Sequence, residues 1–503
     1  MAIKPPSNMK PTLDKDLDKI TRVEEATLHV TQQLAGLGAG FMFVVLAAIF
    51  AGVFVTGTAG SVIIIAAVAI GAYMAINIGA NDVTNNVGPA VGAKAMPLAA
   101  ALIIAAICEI AGALITGGNV VETISSGIIN IETIPDRTAF SWAMLSALLA
   151  AGLLVNISTW TKAPISTTHT VVGGVAGAGM AAYGAKAVDW LSLGSIAFAW
   201  VLAPFISAII AVAILAFIKE FIIYREDKLT SARLWVPVLI GLMAGVFTAY
   251  LIWVGLRQLM HVSLGHASLT GLVTGLVVWR LCVPIIRKQS EGLENRNQSL
   301  RILFQWPLVL AAGLMSFAHG ANDVSNAIGP VVAIVRALHD EAVSTSARAP
   351  MWVMLVGAFG LSCGILLYGP RLIRLVGEQI TKLNPMRAFC VSVATALTVL
   401  VASRFGLPVS TTHTAIGAVF GVGFFREWYT QSSRRRQELV QAGDGRPRRS
   451  ERYADNPSEI RRRYLVRRSH FMTIIAAWLV TVPSSAALAA LLYWLMSSLF
   501  LRT

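Results

Sequence analysis

The sequence predicts an all-α polytopic integral membrane protein, a helical bundle of about 12–13 spans built from two inverted repeats, with broken helices at the candidate substrate site. Three observations lead there. Of 503 residues, 56% are hydrophobic and only 13% charged, which leaves too little polar surface for a water-soluble globule of this size. Apolar runs long enough to cross roughly 30 Å of hydrocarbon as a helix recur along the whole chain. Two uncommon polar motifs each occur twice, in the same order and at nearly the same spacing.

The elements follow in chain order. Residues 1–37 read as a cytosolic N-terminal tail: the first 35 carry five basic and five acidic side chains and lack the short apolar core and cleavage site of a secretory signal. Residues 38–218 form the first membrane repeat together with an extra leading helix, with spans near 38–58, 60–79, 97–117, 140–160, 164–182 and 191–218. Phe41 to Val55 and Ser61 to Ile76 are typical of their apolar runs. Residues 219–303 hold connecting helices near 236–256 and 267–286. The second repeat, 304–425, has spans near 304–321, 351–370, 389–406 and 408–425, and 471–503 supplies the final helix that completes it. The segments 164–182 and 408–425 are short and rich in Gly, Ser and Thr, so they are expected as broken or re-entrant helices. Between them and the final helix, 426–470 carries 13 basic and 6 acidic residues, a solvated cytosolic insertion beside anionic headgroups. Its charge alone does not indicate nucleic-acid binding. Cys108, Cys282, Cys363 and Cys390 lie in apolar stretches without metal-ligand spacing and read as small core residues.

The doubling is the most informative feature. Gly79-Ala80-Asn81-Asp82-Val83-Thr84-Asn85 returns as Gly320-Ala321-Asn322-Asp323-Val324-Ser325-Asn326, an offset of 241 that also carries Gly88-Pro89 onto Gly329-Pro330. Pro164-Ile165-Ser166-Thr167-Thr168-His169-Thr170 returns as Pro408-Val409-Ser410-Thr411-Thr412-His413-Thr414, at an offset of 244. Whole halves are therefore duplicated. Placing 1–37, 80–96, 161–163, 219–235, 287–303, 371–388 and 426–470 inside gathers 32 of the 40 Lys and Arg residues on the cytoplasmic side. On that topology the loop after the first Ser-Thr-Thr-His motif is outside and the loop after the second inside, which makes the repeats inverted if both segments cross.

A carboxylate at the end of an apolar helix needs compensation, because an unpaired charge in hydrocarbon costs several kcal/mol. A bound cation supplies it. Asp82 and Asp323 offer charge, Asn81, Asn322, Asn85 and Asn326 offer amide oxygens, and Gly79 and Gly320 would admit backbone carbonyls. Oxygen donors of this kind suit Na⁺, with Asp82 and Asp323 as its charged ligands, while a carboxylate also carries H⁺. The same residues would otherwise cap helices and hydrogen-bond neighbouring spans. The second motif reads as a helix start: Pro164 and Pro408 end the preceding segment, Ser166 and Ser410 are good N-caps, and small residues follow. Two helix N-termini with the hydroxyls of Ser166, Thr167, Thr168, Ser410, Thr411 and Thr412 form a plausible oxyanion site without Lys or Arg. The alternative is two capped helices without a ligand. His169 and His413 read first as hydrogen-bonded core residues and second as proton carriers. His319, whose counterpart is Ile78, is given no role, and Glu109, opposite Leu361, reads equally as a coupling acid or an interhelical hydrogen-bonding group.

Both motif pairs closely resemble the signatures of the inorganic phosphate transporter (PiT) family, over about 60–430 plus the final helix, where Trp478 to Pro483 echoes Trp200 to Pro204. The resemblance implies phosphate symport with Na⁺ or H⁺ by alternating access. Asp82, Asn85, Asp323 and Asn326 would then lie in the ion and phosphate site, with Ser166, Thr167, Thr168, Ser410, Thr411 and Thr412 facing phosphate. The alternatives are a sulfate permease of the same fold and an anion channel. A hydrolase pairing Ser166 with His169 lacks an orienting acid at matching spacing, and no enzyme is expected. The expected partners are inorganic phosphate, a coupling cation and the lipid of a plasma or bacterial inner membrane, with a homodimer as the assembly to test; no cofactor and no nucleic acid are expected.

Overall fold

The computed structural model describes residues 35–58, 60–130, 136–161, 165–255, 262–338, 349–377, 384–432 and 468–500, and among them almost all are helical. In chain order the helices are α1 (Ala35–Val55), α2 (Ser61–Asn86), α3 (Gly88–Gly92), α4 (Leu98–Thr116), α5 (Gly118–Ser126), α6 (Arg137–Thr161), α7 (Thr167–Tyr183), α8 (Trp190–Ile218), α9 (Lys228–Tyr250), α10 (Leu264–Gln289), α11 (Asn297–Leu303), α12 (Gln305–Leu338), α13 (Met351–Gly377), α14 (Pro385–Arg404), α15 (Thr411–Ser432) and α16 (Arg468–Phe500). Ten are long and apolar enough to cross a membrane, and the pair α11 and α12, bent by 46°, makes an eleventh. The chain is a multi-pass integral membrane protein. Each of the thirteen expected spans has a helix; α7 and α15, the two expected to be irregular, fall outside the count of eleven. Most of 426–470 lies outside the described residues, but α15 runs on to Ser432 and α16 begins at Arg468.

Three apolar cores form among the described residues, and the two larger ones flank one polar layer. Val324 to Ala337 of α12 join α1, α2, α6, α7 and α13 in the first core. Ala311 to Ala318 of the same helix join α8, α9, α14 and α15 in the second. Between these stretches α12 carries His319, Asn322 and Asp323, all fully buried. The helix is thus a central mast whose polar stretch stands where the cores meet, and that stretch needs internal partners. The sequence places the Asn-Asp motif at a helix end; α2 does stop four residues after Asp82, whereas α12 runs unbroken through Asp323 and Pro330.

Glycines set how the halves interlock. A Cβ on Gly320 of α12 would lie 2.7 Å from the Cα of Glu109 on α4, and one on Gly79 of α2 would lie 2.8 Å from the carbonyl carbon of Leu361 on α13. Gly112 meets Phe317 and Gly364 meets Ile76 in the same exchanged sense. The motif glycines therefore serve close backbone approach, the reason small residues line helix contacts in lipid. The same exchange brings Gly173 of α7 against Val482 of α16 and Gly417 of α15 against Pro204 of α8. Each half is completed by helices of the other. Along the α2–α12 contact, Gly71 faces Val331 and Ala327 while Asp82 faces His319, so the two motif helices run antiparallel.

Outside this bundle, α9 and α10 form a hairpin closed by Gly241 and Gly245 against Gly275 and Gly271. Its outer face exposes Leu269, Leu272, Leu276 and Leu281, side chains that a lipid environment accepts without loss.

Candidate functional site

Four segments converge at the polar layer: the end of α2, the middle of α12, and the first turns of α7 and α15. Pro164 lies outside the described residues, but the helix start after it forms as expected. Ser166 has extended backbone and its Oγ accepts from the His169 N–H at 3.2 Å; Ser410 does the same for His413 at 3.3 Å. Such caps stabilise a helix start by about 1 kcal/mol. Thr170 and Thr414 then turn their hydroxyls back to the carbonyls of Ser166 and Ser410, at 2.6 and 2.8 Å.

The two acids, Asp82 and Asp323, are buried to 1% and 0% exposure. Thr411 Oγ1 donates to Asp323 at 2.9 Å, and its counterpart Thr167 reaches Asp82 at 3.5 Å. The second threonine of each helix start crosses to the other half. Asn85 donates to Thr412 at 2.8 Å and Asn326 to Thr168 at 3.1 Å, and Thr412 in turn donates to Asp82 at 3.1 Å. These pairs are related by the repeat offsets with the halves exchanged, so the site belongs to neither half alone.

Asn81 donates to its neighbour Asp82 at 3.0 Å. Asn322 is directed elsewhere, to Ser403 Oγ at 2.9 Å and the Leu407 carbonyl at 3.2 Å, and its oxygen accepts from Val409 N–H at 3.3 Å. Ser166 is likewise engaged, 2.6 Å from His169 Nδ1. The His169 ring packs at a tilt of 33° against Trp200 at 3.8 Å and meets His413 edge-on at 5.0 Å, with Trp200 Nε1 donating to the Pro408 carbonyl at 2.9 Å. These histidines tie the two helix starts together, in keeping with a hydrogen-bonded core role.

The structure adds His319 and Asn86, which the motifs leave without a role, and gives Glu109 interhelical hydrogen bonds. His319 Nε2 lies 3.0 Å from Asp323 and 3.6 Å from Asp82, while its Nδ1 bonds Glu109 Oε1 at 2.7 Å. Asn86 donates to the same Glu109 oxygen at 2.7 Å. All three are fully buried. A signal for them existed: each is polar where its repeat counterpart, Ile78, Leu361 or Ala327, is apolar. Polar departures from an apolar repeat position are expensive in a membrane and therefore informative.

Several buried oxygens here have no donor among the described residues: Asp323 Oδ1, Asn326 Oδ1, Asn86 Oδ1 and Glu109 Oε2. A group of acceptors without donors is what a hard cation fits. Asp82, His319 and Asp323 also present one ligand atom each within 4.8 Å of one another. The hydroxyls of Thr167, Thr168, Thr411 and Thr412 and the first turns of α7 and α15 lie beside this acceptor group, the side on which an anion would be held by dipoles instead of fixed cations.

The phosphate transporter family matches residues 78–489, most of the chain and both motif pairs. The chain belongs to this family. It is 40% identical to a putative phosphate permease of Helicobacter pylori, over 95% of this chain and 98% of that one. It is 33% identical to the chloroplastic inorganic phosphate transporter 2-1 of Arabidopsis thaliana, over 85% of this chain and 71% of that one. Among solved structures it is similar to the sodium-dependent phosphate transporter, with a TM-score of 0.76 and 31% identity, covering 87% of this chain and all of that one. Family and relatives are transporters and permeases, so the protein is not an enzyme and the Ser166–His169 contact is a helix cap, not a nucleophile with its base.

Proposed function

We propose that this member of the phosphate transporter family is a secondary active symporter that moves inorganic phosphate with a coupling cation by alternating access. The observation that carries the reading is the convergence of Asp82 and Asp323 with two helix starts from different halves, cross-bonded through Asn85–Thr412 and Asn326–Thr168. We infer Na⁺ as the coupling ion, because buried oxygens without a hydrogen-bond donor, Asp323 Oδ1 and Asn326 Oδ1 among them, are hard ligands and the solved relative is described as sodium-dependent; H⁺ is the competing outcome. The cation compensates the buried carboxylates, and only then is an anion tolerated beside them. Thr167, Thr168, Thr411 and Thr412 with the dipoles of α7 and α15 hold the phosphate, and the absence of Lys or Arg from these motifs keeps release fast. Hydrogen phosphate can donate its proton to a carboxylate whereas sulfate at neutral pH only accepts, which favours phosphate over the sulfate alternative.

The proposal includes inverted repeats bounded at 38–218 and 304–425 plus 471–503, related by an axis in the membrane plane, and the Lys/Arg bias places the 80–96 side in the cytoplasm of a plasma-type membrane. The antiparallel course of α2 and α12 supports the inversion. The test is uptake of radiolabelled phosphate into proteoliposomes under a Na⁺ gradient, a pH gradient or neither, with sulfate as competitor. Uptake accelerated by a gradient, and by Na⁺ above H⁺, is expected. Uptake indifferent to both gradients would leave a channel, and sulfate competing as well as phosphate would reassign the anion.

A further inference from the structure

The two halves are alike in sequence around the site but not in how they are closed. Asn322, Ser325 and Asn326, with Thr168 opposite, are fully buried. Their counterparts Asn81, Thr84, Asn85 and Thr412 are all partly exposed. The difference continues along the chain. From Gly329 to Ala337 every residue of α12 is buried, whereas in the corresponding Gly88 to Met96 only Ala90 and Met96 are buried, and Gly92 and Lys94 are exposed. One approach to the site is therefore shut and the opposite one open.

One contact that differs at symmetry-related positions is that of the first asparagine of each motif. On the shut side, Asn322 bonds Ser403 Oγ, the Leu407 carbonyl and the Val409 N–H. Leu407 and Val409 flank Pro408 in an irregular stretch between α14 and α15, so these backbone groups have no helical partner and must find one. An asparagine amide supplies donor and acceptor on one plane and satisfies both. The related groups on the open side are Thr159 Oγ1 and the Ile165 N–H. Thr159 is already arranged like Ser403: its hydroxyl bonds Val155 O at 2.8 Å, as Ser403 bonds Val399 O at 2.9 Å. Asn81, however, donates to Asp82 instead.

We infer that Asn322 and Asn81 are alternating latches, closing opposite approaches to the site in turn, and that the described conformation has the Asn322 latch engaged and the Asn81 latch released. The inference rests on the alternating-access reading. On transition to the opposite state, Asn81 swings from Asp82 to Thr159 and Ile165, and Asn322 drops back toward Asp323. Each asparagine thereby contacts its own acid only when its approach is open, which couples closure to the state of the cation site. The shut side carries one further brace without a counterpart. Arg336 at the end of α12 pairs with Glu122 of α5 at 3.1 Å and with Ser125 at 3.3 Å, whereas Ala95 occupies the related position in the first half.

The latches are tested by sidedness. In a parent with Cys108, Cys282, Cys363 and Cys390 replaced and phosphate uptake retained, Ser325→Cys reports the shut approach and Thr84→Cys the open one, each read as reaction rate with a membrane-impermeant thiol reagent applied from either side. The expected result is slow labelling at 325 and fast labelling at 84. Adding Asn322→Ala should speed labelling at 325 about tenfold, the shift of a two-state equilibrium expected on losing a buried hydrogen bond. Asn81→Ala should leave 325 as slow as before, because its latch is unused in this state, yet should slow uptake. Labelling at 325 that Asn322→Ala does not change, or that both alanine variants raise alike, overturns the latch; the second pattern is what two cation ligands would give. If Asn322→Ala does not insert, Ser403→Ala removes one partner of the same latch and should speed labelling at 325 in the same direction. Should the parent show no gradient-driven uptake, the symport reading fails while the labelling asymmetry is still measured.

Discussion

Replacing Gly320 by alanine should disable the site without touching any motif side chain. The new Cβ would lie 2.7 Å from Glu109 Cα and 2.8 Å from its carbonyl carbon, where carbon atoms in contact normally stand about 3.5–4.0 Å apart. Both neighbours are backbone, so α4 and α12 must separate by about 1 Å. His319 precedes Gly320 on α12 and bonds Glu109 of α4 at 2.7 Å; about 1 Å of separation takes that bond past the 3.5 Å at which a hydrogen bond is lost. Overpacking costs about 1–3 kcal/mol and a hydrogen bond to a charged group contributes about 1.5–3 kcal/mol. A combined loss near 3 kcal/mol corresponds to about 100-fold. The measurements are initial phosphate uptake in proteoliposomes and the unfolding midpoint in detergent. Gly313→Ala is the control on the same helix, because its Cβ would meet Cys108 Sγ and Ile104 Cγ2 at an ordinary 3.5 and 3.6 Å; its uptake should stay within about twofold and its stability within about 1 kcal/mol, the helix-propensity difference. Wild-type uptake and midpoint in Gly320→Ala would refute the claim that backbone approach of the halves positions the His319–Glu109 pair.

Asp82→Asn and Asp323→Asn should each cut gradient-driven uptake at least about tenfold, from loss of a charged partner worth about 1.5–3 kcal/mol, with membrane insertion unchanged on fractionation; near-normal coupled rates in both would contradict the site assignment. His319→Ala leaves Asp82, Asp323 and Glu109 buried with no basic neighbour in the cluster and should destabilise by about 3–5 kcal/mol, as breaking a buried ion pair does, read as a lowered unfolding midpoint that Glu109→Gln in the same chain partly restores. Glu122→Gln should loosen the brace with Arg336 by about 1 kcal/mol, since Glu122 is 35% exposed and its pairing is screened. Faster labelling of Ser325→Cys at unchanged phosphate affinity is the expected signature, and unchanged labelling would assign the pair a purely structural role.

Local order and the repeat were legible because each rests on short-range physics. Ser166 and Ser410 cap their helices as their residue type and following small residues imply, and the Gly-rich character of α7 and α15 set them apart from smooth spans. Asp82 and Asp323 were recognisable since a carboxylate does not persist in an apolar helix without purpose. What could not be read was direction. Nothing in Asn322 distinguishes a side chain turned to Ser403 and Leu407 from one turned into the acceptor group, because an amide offers the same donor and acceptor in either direction. His319 and Glu109 were visible as departures from the repeat, but 210 residues separate them, and only the α4–α12 approach at Gly320 makes them neighbours.

The sequence by itself determined that lipid is the solvent, that the chain is two related halves, and which residue types gather where polarity must be compensated; these follow from composition, periodicity and duplication, properties additive along the chain. Tertiary structure alone decided that each half is finished by the helices of the other, that Glu109 and Asn86 close the charge layer around His319, and that one approach is shut while its twin stands open. Those features depend on contacts between segments dozens to hundreds of residues apart, and the two Asn-Asp motifs, alike in their polar residues, do not show which of them is shut.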